Sequence, residues 1–198
     1  MNVGLFGGSF DPVHTGHVKL VRAAQRALAL DRTVILPAAC SPFKDGSFST
    51  DEDRMALCRL SFPKTCEISS YEIDKGGKSY TVETVRHFHA LYPQDRLFLL
   101  IGADQLLIFN KWYRFGEILS MATLCAAART DSGERAALEA FADESLRPFG
   151  EVRVMEFSPF AVSSTEIRRR IAEGRTIRGL VTPAAEKYIL EKGLYRDI

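Results

Sequence analysis

Residues 4–17 read GLFGGSFDPVHTGH, a short apolar run that ends in two glycines and leads to two histidines three residues apart. The apolar run has the length and composition of a buried strand. From about Thr15 to Leu30, apolar residues recur at helical spacing. The chain therefore opens with a strand followed by a helix, and the histidines are predicted to lie where that helix begins.

The same alternation continues along the chain. Further apolar runs predict strands, and these runs lie at residues 33–37, 66–73, 96–102, 123–129 and 151–157. Helical patterns separate them, with a capping-box-like start at Thr50. Continuous apolar strands are expected when both faces of a sheet are covered. The sequence thus predicts an α/β, three-layer Rossmann-like fold with a mostly parallel central sheet. Ligands bind beyond the carboxyl ends of strands in such sheets, where the opening motif is expected to lie.

Composition restricts the class of protein. The length of 198 residues favours a single domain, 1–198. With 26 basic and 25 acidic residues, the net charge of +1 argues against a polynucleotide or a membrane surface as the main partner, although a small anionic ligand stays open. No apolar stretch reaches the ~20 residues of a membrane helix, and the start does not resemble a secretory signal. A cytoplasmic protein is expected, with its four cysteines reduced and mostly buried.

The opening motif has the composition of an anion site. His14 and His17, at i and i+3, can point the same way from a helix start that carries partial positive charge and free N–H groups. Gly16 leaves room for a phosphate between them. We interpret Gly7 and Gly8 as allowing a tight turn and the close approach of a ligand to the backbone.

Other interpretations of the histidines are weaker. Two histidines could bind zinc, but no third ligand occurs at matching spacing. They could also be ordinary polar surface residues. Neither G-x-G-x-x-G nor G-x-x-x-x-G-K-[ST] is present, which removes support for a dinucleotide-dependent dehydrogenase or a phosphate-loop ATPase. His87 and His89 lie mid-helix at i and i+2, so we interpret them as structural or solvated.

A second polar stretch, SSTEIRRR, begins at Ser163. Ser163 and Glu166 have capping-box spacing, and Ser164 is an alternative N-cap. Hydroxyls of Ser164 and Thr165 add to the helix start, and Arg168 brings a planar guanidinium suited to phosphate. A capped surface helix with a basic face is the alternative, and the last two arginines fit such a solvated face. Two anion-type helix starts could hold the two ends of a triphosphate.

These motifs support a family resemblance. HTGH at 14–17 fits H-x-G-H, and SSTEIR at 163–168 fits S-S-T-x-I-R. Together with SYTVETV, IGAD, KWY and YILEKGLY, in that order, they resemble the bacterial nicotinate-nucleotide adenylyltransferases of the nucleotidyltransferase superfamily. The resemblance spans essentially residues 1–196.

The resemblance implies a reaction in NAD biosynthesis. Nicotinate mononucleotide and ATP would give deamido-NAD and pyrophosphate, with Mg²⁺ carried mainly by the phosphates and no residue assigned as a metal ligand. The acceptor phosphate would attack the α-phosphorus directly. No enzyme nucleophile is then needed, and the sequence contains no G-x-S-x-G.

The resemblance also implies roles for individual residues. The ATP phosphates would be held by His14, His17, Lys44 and Arg168. Further nucleotide contacts would come from Gly7, Gly8, Ser9, Phe10, Gly16, Gly102, Asp104, Ser163, Ser164 and Thr165, with Gly102 and Asp104 at ribose hydroxyls. The nicotinate mononucleotide would be bound by Thr81, Trp112, Tyr113 and Arg129. Two departures from the family pattern are Phe43, where a loop histidine is common, and Thr130 after Arg129.

Three alternatives stay open at this point. The acceptor could be nicotinamide mononucleotide or phosphopantetheine, although the SYT and KWY motifs favour neither. A non-catalytic nucleotide-binding module would need the fold and a phosphate site but not this full set of cationic and imidazole groups. A measurement of turnover distinguishes such a binding module from the adenylyltransferases. The sequence leaves open whether the chain forms a homo-oligomer.

Overall fold

The computed structural model describes residues 1–39, 47–129, 132–157 and 162–197. Its strands are β1 (Asn2–Gly8), β2 (Arg32–Pro37), β3 (Cys66–Ile68), β4 (Arg96–Gly102), β5 (Ala122–Arg129) and β6 (Val152–Phe157). Its α-helices are α1 (Thr15–Ala27), α2 (Asp51–Ser61), α3 (Tyr71–Lys75), α4 (Thr81–Leu91), α5 (Ala103–Leu106), α6 (Phe115–Met121), α7 (Ser132–Ser145), α8 (Ser164–Ala172) and α9 (Pro183–Lys192). Short 3₁₀ turns cover Phe109–Lys111 and Arg147–Phe149.

The six strands form one sheet in the order β3-β2-β1-β4-β5-β6. The pairs β1–β4, β4–β5 and β5–β6 are parallel, which confirms the predicted α/β fold with a mostly parallel sheet. This order is the one typical of dinucleotide-binding sheets, and it reverses direction between β1 and β4. Asn2 pairs with Arg96 and Leu5 with Leu99, so these two strands end at the same edge of the sheet.

Apolar runs form the strands because both of their faces are covered. In β4, all five residues from Leu97 to Ile101 are buried. β5 is built largely from alanines and is also buried throughout the part from Ala122 to Ala128. Helix ends follow local chemistry as well: Thr50 accepts a hydrogen bond from the Asp53 amide, as the capping pattern predicted.

One predicted strand is shorter than expected. Residues 66–73 were expected to be extended, but β3 ends at Ile68 and a helical turn begins at Tyr71. The hydroxyl of Ser69 accepts the Tyr71 amide at 3.2 Å, and that of Ser70 donates to Asp74 at 2.6 Å. Side-chain hydrogen bonds of serine compete with sheet pairing in this way, and they turn the chain into α3.

By compactness the chain divides into two units. The first contains residues 1–7, 20–34 and 80–159, and thus β4, β5, β6 and most of β1. The second contains residues 8–19, 35–79 and 160–198, which include β3, α2, α8 and α9. The two polar motifs identified at the ends of the sequence both lie in the second unit.

The cysteines of the described residues are buried, as predicted, and none of them forms a disulfide there. These are Cys58, Cys66 and Cys125. Burial raises the pKa of the Cys58 and Cys125 thiols to about 12, so they behave as small apolar side chains. Within the described residues, none of the helices combines the length and the apolar character needed to cross a bilayer.

Candidate functional site

The two histidines of the opening motif lie face to face. Their ring centroids are 3.6 Å apart, with an angle of 17° between the ring planes. The backbone N–H of His14 donates to Nδ1 of His17 at 3.2 Å, and the N–H of His17 donates to Nδ1 of His14 at 3.3 Å. The motif therefore closes on itself through two reciprocal hydrogen bonds, as its i, i+3 spacing allows.

These hydrogen bonds determine where each ring carries its proton. An Nδ1 atom that accepts an N–H cannot carry a proton of its own, so the neutral imidazole is protonated at Nε2. Both rings then offer an Nε2–H donor. Burial lowers the pKa of His14 from 6.5 to about 4, which keeps this ring uncharged at neutral pH. The pair is thus a double hydrogen-bond donor suited to an anion.

The backbone of the helix start contributes less than the sequence suggested. We expected free N–H groups at the beginning of α1, but the Thr15 amide donates to the Leu180 carbonyl at 2.9 Å. The Thr15 hydroxyl donates to the same oxygen at 3.0 Å. The His17 amide is occupied by His14, as described above. The features of this helix end that suit an anion are therefore mainly the imidazoles and the helix dipole.

The glycines before the motif do not form the turn that the sequence suggested. Gly7 and Gly8 are the last two residues of β1 and neither has a positive φ. The left-handed residue is Phe10, with φ of 49°. A Cβ at Gly8 would lie 3.0 Å from the Phe10 ring, so Gly8 is needed because Phe10 folds back over it. Phe10 itself is 2% exposed and packs edge-on against His17 at 5.2 Å, so only its backbone is available to a nucleotide.

Gly16 has a similar packing reason. A Cβ at this position would meet Nδ1 of His14 at 3.0 Å and Cγ1 of Val162 at 3.4 Å. The absence of a side chain therefore lets the His14 ring adopt its stacked position.

Arg54 lies beside the first motif, although no sequence pattern selects it. Its side chain is fully buried, its Nη1 donates to the Ser9 carbonyl at 2.9 Å, and its Nη2 pairs with the Asp51 carboxylate. Among the described residues, its Nε atom has no hydrogen-bond partner. A buried guanidinium thus lies directly under the loop that carries Ser9. In the sequence, Arg54 is an ordinary charged position in the first turn of a helix, and no pattern distinguishes it.

Asp11 links several segments around the same loop. Its buried carboxylate accepts the Phe48 amide at 2.6 Å, the Ser49 hydroxyl at 2.6 Å and the Tyr195 hydroxyl at 2.8 Å. Its backbone carbonyl accepts Nη1 of Arg168 at 2.6 Å. No sequence pattern distinguishes Asp11, because its partners are distant in the chain.

The second motif starts α8 as expected. Ser163 is the N-cap, and its hydroxyl accepts the Glu166 amide at 3.1 Å. The Ser164 hydroxyl donates to the Pro12 carbonyl at 2.9 Å, which ties this helix start to the first motif. The guanidinium of Arg168 lies 4.0 Å from the centre of the Phe48 ring. The second unit therefore brings Arg168 and the loop that carries the histidine pair together.

The remaining residues of this motif have local partners. The Thr165 hydroxyl accepts Nη2 of Arg168 at 3.4 Å. Arg169 and Arg170 form ion pairs with Glu166, at 2.7 and 2.8 Å, so they belong to the polar helix face that the sequence predicted. Lys44, the fourth phosphate-binding candidate, lies outside the described residues.

In the first unit, the IGAD motif lies where β4 ends. Gly102 caps the short helix α5, and a Cβ there would lie 2.7 Å from Oδ1 of Asp104. The Asp104 side chain is exposed and accepts a hydrogen bond from Gln105 at 2.8 Å. Because β4 flanks the point of strand reversal, an exposed carboxylate here is at the usual edge for ligand contact.

The SYT and KWY motifs meet in the first unit. Tyr80 and Tyr113 lie 5.2 Å apart, and Tyr113 is 55% exposed. Thr81 is the first residue of α4, and no side chain of the described residues caps that helix end. Trp112 packs 4.9 Å from Phe109 and is partly exposed. The backbone of Arg129 ends β5, while its side chain lies outside the described part of the structure.

The described residues contain no cluster of three or more histidine, cysteine or acidic side chains that could hold a metal ion. The histidine pair accordingly has no third ligand in this part of the chain.

A sequence model of the cytidylyltransferase-like family matches residues 5–170. A curated protein from Gemmatimonas aurantiaca, named "Probable nicotinate-nucleotide adenylyltransferase", is 37% identical over 199 residues that cover 100% of this chain and 93% of the relative. A protein of the same name from Thermus thermophilus is 39% identical and covers 99% of this chain and 100% of its own. Among solved structures, the Plasmodium falciparum nicotinic acid mononucleotide adenylyltransferase complexed with NaAD has a TM-score of 0.79 at 14% identity, over 98% of this chain and 97% of that one.

Proposed function

Since the chain belongs to the cytidylyltransferase-like family, and within it to the nicotinate-nucleotide adenylyltransferases, we propose that it transfers the adenylyl group of ATP to nicotinate mononucleotide. The products are deamido-NAD and pyrophosphate, and the reaction is a step of NAD biosynthesis. The matched relatives are similar over their whole length, which supports assigning the complete reaction rather than nucleotide binding alone.

The transfer needs no covalent enzyme intermediate. A 5′-phosphate oxygen of the mononucleotide forms a bond to the α-phosphorus of ATP. The bond from that phosphorus to the oxygen bridging to the β-phosphate breaks, and the leaving pyrophosphate keeps the electron pair. Catalysis of this kind depends on positioning and on stabilising charge that moves to the phosphate oxygens.

The observation that carries the proposal is the stacked histidine pair with both Nδ1 atoms occupied. Because both Nδ1 atoms accept backbone amides, the Nε2–H groups of His14 and His17 are the donors that each ring directs to a phosphate oxygen, and the stacked pair is held in place before the reaction begins. We assign Arg168 and Lys44 to the same phosphates. The two uncharged imidazoles can only donate hydrogen bonds to the phosphate oxygens, whereas a guanidinium and an ammonium also neutralise their negative charge.

The other nucleotide contacts are proposed from position. We assign backbone groups at the end of β1, at the start of α1 and at the start of α8 to the nucleotide. They belong to Gly7 of the first unit and, in the second unit, to Gly8, Ser9, Phe10, Gly16, Ser163, Ser164 and Thr165. In the first unit, we assign Gly102 and Asp104 to ribose hydroxyls, because an exposed carboxylate at a strand end is a good acceptor for such groups.

The acceptor base is assigned to residues of the first unit. The N-cap residue of α4, Tyr80, makes no side-chain cap, and the positive dipole at this helix start, where Thr81 lies, suits the carboxylate of nicotinate. Trp112 packs against Phe109 with part of its surface exposed, as expected for a ring that stacks on a pyridine. We assign Tyr113 and Arg129 to the rim of this site.

Magnesium is expected to enter with ATP. Mg²⁺ prefers phosphate and water oxygens, and it usually binds proteins through few carboxylates. The bound ion would neutralise charge on the pyrophosphate that leaves. We further propose that residues 1–198 act as one nucleotidyltransferase domain in the cytoplasm.

The direct test measures pyrophosphate release from Mg-ATP with three acceptors: nicotinate mononucleotide, nicotinamide mononucleotide and phosphopantetheine. Strong preference for the first is the expected result. Preference for one of the others would keep the phosphate chemistry and contradict the assignment of the base site. Tight ATP binding without release would indicate a nucleotide-binding module instead.

The base site is tested separately by Trp112→Ala. Loss of the stacking ring should raise KM for nicotinate mononucleotide about tenfold or more, because base–aromatic stacking contributes about 1–3 kcal/mol. KM for ATP should stay within about twofold. An unchanged KM for the mononucleotide would remove Trp112 from the site.

A further inference from the structure

The end of the chain is anchored beside the phosphate-binding loop. Tyr195, which follows α9, is 4% exposed although it lies three residues from the C-terminus. Its φ is 64°, a left-handed value that non-glycine residues keep only when their surroundings hold them there. Its hydroxyl lies 2.8 Å from Oδ1 of Asp11 and 3.1 Å from Oγ of Ser49.

Asp11 holds Arg168 from two directions. The Asp11 carbonyl accepts Nη1 of Arg168 directly. Oδ2 of Asp11 accepts the Phe48 amide at 2.6 Å, and the Phe48 ring lies 4.0 Å from the guanidinium centre. Any displacement of Asp11 therefore moves both the carbonyl and the aromatic face that orient Arg168.

The Asp11 carboxylate is a poor direct contact for a triphosphate, because two anions repel each other. Both of its oxygens instead face donors: Oδ1 accepts Ser49 and Tyr195, and Oδ2 accepts Phe48. A buried carboxylate must be satisfied in this way, and it is fixed in place by its donors. Tyr195 supplies one of the three, and the other two come from neighbouring residues of a single segment.

We propose that Tyr195 is a positioning residue for ATP binding, acting through Asp11 and Phe48 to orient the guanidinium of Arg168. This role rests on the proposed function only in that Arg168 is taken to hold ATP phosphates. The C-terminal segment is then part of the ATP site although it contacts no phosphate.

The test compares Tyr195→Phe with Tyr188→Phe. Tyr188 is a matched control, because its hydroxyl also donates to an aspartate, Asp53, at 2.8 Å in the same unit but outside the Asp11 network. Calorimetric titration with Mg-ATP should show Kd raised about tenfold in Tyr195→Phe, the effect of losing one hydrogen bond to a charged group. Tyr188→Phe should bind within about twofold of wild type, with thermal unfolding of both variants measured in parallel. Unchanged Kd in Tyr195→Phe would overturn the proposal.

The route through Arg168 is tested by a double-variant cycle. In an Arg168→Ala background, Tyr195→Phe should change the ATP Kd less than about twofold, because the group that it orients is gone. A full tenfold loss in that background would overturn the route. If Tyr195→Phe does not unfold cooperatively, Ser49→Ala replaces it in the test, because it removes the neighbouring donor to the same Asp11 oxygen. The ATP Kd of Ser49→Ala is then compared in the wild-type and Arg168→Ala backgrounds, with the same expected results. Turnover of the wild-type protein is measured separately. If the protein binds ATP but releases no pyrophosphate, the proposed function is refuted, whereas the comparison of Kd values still tests the role of Tyr195.

Discussion

At the scale of single residues, the histidine motif shows how a short spacing determines chemistry. Because His14 and His17 each accept the other's backbone amide, neither ring can present Nδ1 to a ligand. The pair therefore presents two Nε2–H donors and no lone pair, which favours an anion and disfavours a metal ion. The i, i+3 spacing in the sequence predicted that both rings point the same way, but not which nitrogen each would present.

Replacement of His17 by alanine tests the donor role. Loss of one Nε2–H that meets developing charge should lower kcat by roughly 10² or more, the usual effect of removing such a donor. His89→Ala is the control, since His89 is exposed on α4 and is not assigned to the site. Steady-state kinetics with both substrates give the comparison. A His17→Ala enzyme with near-wild-type kcat would contradict the assignment.

The pKa of His14 predicts a pH dependence of stability. Its folded value of about 4 lies below the ordinary 6.5, so between these values the unfolded chain binds more protons than the folded one. The free energy of unfolding should then decrease as pH falls from 6.5 to 4, by up to about 3 kcal/mol from this group. Above pH 6.5 the contribution is complete, and below pH 4 no more is lost.

Urea unfolding at pH 7 and pH 4 measures this contribution. The comparison variant is His14→Asn, whose side-chain carbonyl can still accept the His17 amide but does not titrate in this range. Carboxylates contribute equally to both proteins, so the difference in slope belongs to His14. Equal pH dependence in the two proteins would show that His14 is not buried uncharged.

At the scale of secondary-structure elements, Gly16 is the second residue of α1 and leaves room for the His14 ring at the start of that helix. In an exposed helix, alanine is more stable than glycine by about 1 kcal/mol. Here, however, the added Cβ would press on the His14 ring at 3.0 Å. Gly16→Ala should therefore lower kcat about tenfold while the free energy of unfolding changes by less than about 1 kcal/mol.

Gly116 provides the matched control for this substitution. It is likewise the second residue of its helix, α6, and a Cβ there would lie 3.1 Å from the aromatic ring of Phe149. Gly116→Ala imposes a similar steric demand outside the proposed phosphate site. It should alter unfolding to a similar extent and leave kcat unchanged. Equal losses of kcat in both variants would mean that the effect of Gly16 is not specific to His14.

Elements whose cause is local were predictable from the sequence. Strand β4 is a continuous apolar run, and the caps at Thr50 and Ser163 follow from hydroxyls placed before helical patterns. The wrong prediction of a strand over residues 69–73 has a local cause as well. Hydrogen bonds of two serine side chains turn the backbone there, and the apolar pattern of the sequence does not reveal these bonds.

Contacts between distant parts of the chain were not predictable in this way. Tyr195 reaches Asp11 across 184 residues, and Arg54 reaches Ser9 across 45. The periodicity of apolar residues predicts which face of a helix or strand is buried, but not which distant residues that face will contact. The family resemblance supplied the residues that we propose for phosphate binding, because those are the motif residues themselves. It supplied neither Arg54 nor Tyr195 as a member of the network that supports them.

At the scale of the whole molecule, the net charge of +1 conceals a local asymmetry. On α8, Arg169 and Arg170 both pair with Glu166, whose pKa is lowered by their hydrogen bonds, and Arg169 also pairs with Glu173. Arg168 is instead held by a backbone carbonyl and an aromatic ring, neither of which cancels its charge. A protein that is nearly neutral as a whole can therefore keep a positive group for a phosphate. A net charge near zero argues against a polyanion as the main partner, but it is compatible with a triphosphate.

The last prediction concerns magnesium and the whole protein. If Mg²⁺ is bound by ATP phosphates rather than by a preformed protein site, the free protein should not depend on it for stability. Exhaustive treatment with EDTA should then leave the unfolding temperature of the ligand-free protein within about 1 °C of the untreated value, since a metal bound only to the nucleotide adds nothing to the ligand-free fold. The same treatment should abolish pyrophosphate release from ATP and nicotinate mononucleotide, and added Mg²⁺ should restore it fully. A drop in unfolding temperature on chelation would reveal a resident metal ion, and its ligands would then have to include residues outside the described part of the chain. Undiminished turnover in EDTA would show instead that the histidine pair and the cationic side chains stabilise the pyrophosphate without a metal.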